Sequence, residues 1–169
     1  MAPERMVRLD IADLKYGLRT DRLTPEPADL NLDASEFRDI RVTAHLDREG
    51  DRILVRLEVR GIACLQCDRT LVDFDQAIEG TGGLLFVPPF ELGELGGPSD
   101  DVRELPAFAT KLDVTDAVRD VLLLSIPLRR IAPGADSVEI PTRFGAPDED
   151  LDPRWEALKR LRDEGPDPG

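Results

Sequence analysis

The chain has 169 residues, a net charge of −13 and a pI of about 4.5, a size that suits one domain, or one domain with loose ends. No apolar run approaches the roughly 20 residues that span a bilayer, and MAPERMVRLDIADL lacks a charged-then-apolar export pattern, so a cytoplasmic location with reduced thiols is expected. Such an acidic surface disfavours strong nucleic-acid binding unless a local basic patch exists, and it suits either a basic protein partner or plain solubility.

Hydrophobic residues make up 41% and aromatics only 5%, so the core is aliphatic. VRLDIADLKYG joins an alternating stretch to a short helical pattern closed by Gly17, with Leu9, Ile11 and Leu14 as anchors. TDRLTPEPADLNLD, with Pro25 and Pro27, reads as an extended surface loop. Then Ile40, Val42, Ala44 and Leu46 alternate with Arg41, Thr43 and His45. After a connection at residues 48–51, Ile53, Val55, Leu57 and Val59 alternate with Leu54, Arg56, Glu58 and Arg60. This is a β-hairpin with one buried face. Gly61 permits a turn or bulge.

A third strand is expected over Ile62–Cys67 and a fourth over Leu71–Glu79, broken by Gly80, Gly82 and Gly83, with GLLFV starting another. ELGELGGPSDDVRELP reads as a mobile loop. KLDVTDAVRDVLLLSIPLRRI is the strongest helix, over 113–126, with Asp113 as N-cap and Pro127 as terminator. Val114, Ala117, Val118, Val121 and Leu122 form its apolar stripe, which Leu123 and Leu124 widen. After an acidic, Pro- and Gly-punctuated stretch, DPRWEALKRLRD starts a short helix at Asp152 and Pro153. The fold expected is α+β: a curved antiparallel β-meander, partly barrel-like, backed by one main helix, with short terminal helices. A single domain covers 1–163, and 164–169 is a frayed tail.

Cys64 and Cys67, in CLQCDRTL, are the only cysteines. With His45 they fall one ligand short of a four-coordinate zinc site, and on a straight strand residues three apart face opposite ways. A thioredoxin-like pair would need a helix N-terminus, and here strands surround the motif. A packed, inert thiol fits better. No G-x-S-x-G, phosphate-binding Gly-rich loop or H-E-x-x-H occurs, and the many carboxylates select no pair for acid–base work. Arg69, between Asp68 and Asp73, reads as the clamp of a turn.

In order, these pieces resemble the YceD family, the large ribosomal RNA subunit accumulation proteins. Cys67, Asp68, Arg69, Thr70 and Leu71 fall on the family's C-x-R-C-L centre, followed by Phe74. LDVTDAVRDVLLLSIP resembles its helix, and DPRWEALKRL, with Asp152, Pro153 and Arg154, its closing segment. Thr70 replaces the family's second cysteine, and no cysteine cluster precedes Asp152. The resemblance implies a non-catalytic factor, without cofactor or bound metal, that supports accumulation or processing of large-subunit rRNA. The implied partner is a basic ribosomal protein or assembly factor, steered by acidic segments 91–104 and 136–152. Three alternatives stay open: a metal- or small-ligand module at Cys64, Cys67 and His45; an enzyme built from scattered carboxylates and arginines; and direct RNA binding through Arg41, Arg56 and Arg60.

Overall fold

The apolar-polar alternation around Gly50 folds as it reads. In a computed structural model that describes residues 6–138, β3 (Phe37–Glu49) and β4 (Arg52–Gln66) pair antiparallel from Glu49↔Arg52 onward. The loop is only Gly50 and Asp51, and Gly50 adopts φ 61°. A two-residue hairpin loop needs that positive φ, which glycine adopts at little steric cost. Ile40, Val42, Ala44, Leu46, Ile53, Val55, Leu57 and Val59 are all buried.

Around this hairpin lie β1 (Arg8–Asp10), β2 (Gly17–Leu23), β5 (Asp73–Val87), β6 (Val102–Glu104) and β7 (Lys111–Asp113), with helices α1 (Pro89–Glu94) and α2 (Thr115–Leu124). The main sheet has five strands in the order β2-β3-β4-β5-β6, and β1 pairs with β7 in a second, two-stranded sheet. The edge strands β2 and β6 do not pair, so the sheet is open and no barrel closes. All pairings are antiparallel except β5–β6, which is parallel. The chain divides into two units, Met1–Asp136 and Ser137–Gly169, and the description concerns the first. The domain boundary expected at residue 163 lies outside the described residues.

One face of the main sheet carries the core. Val118 and Leu122 of α2 are buried there with Leu9, Leu112 and Val114. Thr115 is the one buried polar side chain among the described residues, and its Oγ1 accepts the Val7 N–H at 2.8 Å.

Several expectations give way to tertiary context. Over residues 6–16 the chain forms β1 and a turn, with no helix among these described residues. Residues 17–23 are an edge strand paired with β3, because their partner supplies the ladder that a local reading cannot see. The bulge expected at Gly61 lies opposite it: Asp39 and Ile40 face that single residue, and Asp39 takes φ 53°. Gly80, Gly82 and Gly83 do not break the fourth strand, because β5 runs through them and pairs with β4 throughout. The stretch 91–106 is no bare loop. It holds most of α1 and all of β6, tied down by Arg52 Nε donating to Glu91 Oε2 at 2.9 Å. Helix α2 starts after Val114, and Asp113 ends β7, yet Asp113 Oδ1 still accepts the Thr115 N–H at 2.9 Å. Leu124 is 85% exposed, so α2 buries one side only.

Candidate functional site

The family-like CDRTL segment makes the turn between β4 and β5. Cys67 N–H donates to Val72 O at 2.9 Å, and Leu71 N–H donates to Cys67 O at 2.9 Å. Leu71 closes the turn at φ 58°, a left-handed conformation uncommon for leucine, and its carbonyl accepts Gln66 Nε2 at 3.2 Å.

Two further bonds fasten this turn to the chain beyond α2. Asp68 N–H donates to Arg130 O at 2.8 Å, and Asp68 Oδ2 accepts the Arg130 N–H at 2.8 Å. Arg69 Nη1 stands 3.9 Å from Asp136 Oδ1, so Arg69 reaches the same downstream segment. The tight fastening of the turn is the reciprocal Asp68–Arg130 pair, and the Arg69–Asp136 ion pair is longer than a hydrogen bond.

Cys67 is wholly buried, and its Sγ accepts the Ala132 N–H at 3.3 Å. That N–H, together with the Thr70 hydroxyl, lowers the thiol to about 7 from an ordinary 9.0, against the opposing effect of burial. Between those values the folded chain holds fewer protons than the unfolded one, so folding becomes more favourable as pH rises. The stability of the wild type relative to Cys67→Ser should therefore grow from about pH 7 to about pH 9, measured by chemical denaturation at each pH. A difference that stays flat would show that the thiol keeps its proton.

The trio Cys64, Cys67 and His45 does not assemble. Cys64 follows the outward-facing alternation of β4 and pairs with Asp75, whereas Cys67 turns into the interior. His45 pairs with Arg56, eight residues before Cys64, which is roughly 26 Å along a strand. His45 is instead held by Thr20 Oγ1 at 3.0 Å and Glu58 Oε1 at 3.4 Å. Among the described residues no group of three or more His, Cys, Asp or Glu side chains is placed to hold a metal ion. Asp152, Pro153 and Arg154 lie outside the described residues.

Next to the turn is a groove of about 570 Å³. β3 begins at Phe37, opposite Ala63; Cys64 N–H still donates to Glu36 O at 2.8 Å, and beyond it Leu65 and Gln66 run on without a β3 partner. Phe37, Leu65, Leu123 and Ile126 line it with apolar surface, and Glu36 and Asp73 add acid. Arg130 is the one cation in its wall. On the flanking turn and helix end, Leu71, Leu124 and Leu128 are exposed by 69%, 85% and 104%. Leucines exposed so fully at one end of an otherwise aliphatic-cored protein mark a surface suited to a partner.

Sequence reasoning missed the roles of Arg130 and Ala132, because both act through backbone N–H groups, which carry no residue signature. It also left Arg22 in a loop, although the strand places it on the open face of the sheet.

Among the described residues no helix is long and apolar enough to cross a membrane. Residues 55–162 match the family model described as large ribosomal RNA subunit accumulation protein YceD. The match begins inside β4 and takes in the Cys67 turn, β5 and α2, but not β1 to β3. No curated protein and no solved structure matches the chain.

Proposed function

Because the chain belongs to the YceD family of large ribosomal RNA subunit accumulation proteins, we propose that it supports the accumulation or processing of large-subunit rRNA by holding a basic ribosomal protein or assembly factor, without catalysis. The observation that carries this reading is the acid-edged apolar groove beside the Cys67 turn. Exposed leucines supply the contact area, and Glu36 and Asp73 supply the complementary charge for a cationic partner. Asp68 and Arg130 hold the turn against the segment that forms one wall of the groove. In this reading the CDRTL motif is a brace for a binding surface.

Acidic side chains outside the groove, Glu94, Asp100, Asp101 and Glu104, act at longer range. They speed encounter with a positive partner, and salt weakens that effect.

The test is affinity capture from cell lysate at low and high salt, read by mass spectrometry, with wild type and a Glu36→Lys/Asp73→Lys double variant. Basic ribosomal proteins or assembly factors should be enriched by the wild type at low salt. They should fall at least tenfold with the variant and fall with salt. Recovery of the same basic proteins by both chains would remove the groove from the proposal, and recovery of none by the wild type would remove the partner.

A further inference from the structure

Among the described residues nothing covers the outward face of the main sheet, because the core, α2 included, packs on the other face. On that open face four arginines gather in an otherwise acidic protein. Arg22, Arg41 and Arg60 line a groove of about 300 Å³ across β2, β3 and β4. Arg56 lines the adjoining groove of about 530 Å³ with His45, and Glu58 belongs to both.

Elsewhere many arginines of this chain are ion-paired. Arg19, Arg38, Arg52 and Arg119 each meet a carboxylate. Arg22, Arg41 and Arg56 have no hydrogen-bond or ion-pair partner among the described residues. Acids are not scarce, at 35 against 22 bases. Arg41 also stands directly opposite Arg60, and like charges in that position destabilise a sheet. Arg60 leans away to Glu79 at 3.4 Å, and Glu58 is engaged by His45 at 3.4 Å. The face therefore keeps a repulsion that the fold does not need, and three guanidinium groups point to solvent uncompensated.

We propose that this arginine track binds the phosphate backbone of RNA. Guanidinium forks fit phosphate oxygens in bidentate pairs. Neighbouring strands about 4.8 Å apart set the arginines in a closely spaced row, which suits a polymer with a charge on every repeat. Among the described residues that line the two grooves His45 carries the one ring, so bases find little stacking platform, and recognition is independent of sequence. The choice of RNA over an acidic peptide rests on the rRNA role proposed above. The track and the groove at the Cys67 turn share no lining residue, and Arg60 lies four residues, roughly 13 Å along β4, from Cys64.

The test is filter binding of full-length protein to two single-stranded RNAs of unrelated sequence, and to poly-glutamate of matched charge, across a salt series. The variants are Arg22→Ser/Arg41→Ser/Arg56→Ser, the single Arg41→Ser and, as a control off the track matched in charge to that single variant, Arg103→Ser. Those three arginines carry no internal ion pair, so their removal should leave the melting temperature unchanged or raised. The wild type should bind both RNAs within about twofold of each other. Its affinity should fall with a log–log salt slope of about −3, from roughly −0.7 per phosphate contact. The triple variant should lose at least tenfold at low salt and flatten the slope to about −1, while Arg103→Ser stays within twofold of wild type. Undetectable RNA binding at low salt, a loss in Arg103→Ser equal to that in Arg41→Ser, or poly-glutamate binding as tight as RNA would overturn the proposal. The groove variant Glu36→Lys/Asp73→Lys separates the two readings: it should lose the basic partner and retain RNA.

Discussion

Gly80→Val is expected to destabilise the protein by about 2–3 kcal/mol, the range for forcing extra atoms into a packed interior, while Gly83→Val three residues on should be neutral or mildly stabilising. Both glycines lie in β5, where valine has the better strand propensity by up to about 1 kcal/mol. Their surroundings differ. A Cβ at Gly80 would collide with Ser125 Oγ and stand 3.0 Å from Val121 Cγ1 and 3.4 Å from Val121 O. The last of these is backbone and cannot rotate aside. A Cβ at Gly83 meets only Val55 O at 3.9 Å, an ordinary contact. Gly82 gives an internal check, because its Cβ would come 2.7 Å from Val121 Cγ2. Gly82→Ala should be destabilising alone and largely rescued by Val121→Ala. Urea denaturation of these variants tests the seating of α2 on β5. Equal stability of Gly80→Val and Gly83→Val would show that the helix does not rest there.

Leu122→Ala should cost about 3–5 kcal/mol, in the upper part of the measured range for such truncations. Leu122 is 1% exposed and lies over Gly61, whose Cβ would stand 3.4 Å from Leu122 Cδ2. With no side chain at residue 61, little can move into the space left by the leucine, and cavities that stay open cost most. At roughly 2–4 °C per kcal/mol for a chain of this size, the melting temperature should drop by about 10 °C. Leu124→Ala, on the exposed side of the same helix, should change stability by no more than about 0.5 kcal/mol. Adding Gly61→Ala to Leu122→Ala should recover part of the loss by refilling the void. A Leu124 effect as large as that of Leu122 would mean that α2 is buried on both sides.

The elements that were legible share one property: their own residues state the period. Ile40 to Val59 alternate so regularly that the buried face could be written down before any coordinates. Val118 and Leu122 mark the inward side of α2 in the same way. The errors fall where the deciding partner is distant in sequence. Residues 17–23 have weak alternation of their own and become a strand because β3 offers them an edge. Gly80 and Gly82 look like strand breakers, yet they are the places where a helix some forty residues later comes close to the backbone. Leu123 and Leu124 extend an apolar run that looks like core, but α2 meets the sheet on one side only. The candidate site divides in the same manner. Cys67 and Asp68 were recognisable as turn residues from their position in CDRTL, whereas their holders, Ala132 and Arg130, act through main-chain N–H groups.

The acidic surface, the hairpin with its buried face, the helix stripe and the ordered motifs that place the chain in its family follow from the order of the residues. Each of these is a local property: side-chain period, charge and spacing are present in the unfolded chain. The tertiary structure alone decided that β3 stops short of the end of β4 and leaves a groove, and that Cys64 and Cys67 face different surroundings. It also set Arg22 beside Arg41 and Arg60 on one open face. Those outcomes depend on strand register and on where the helix lands, which follow from burying the whole apolar set at once and are written in no single segment.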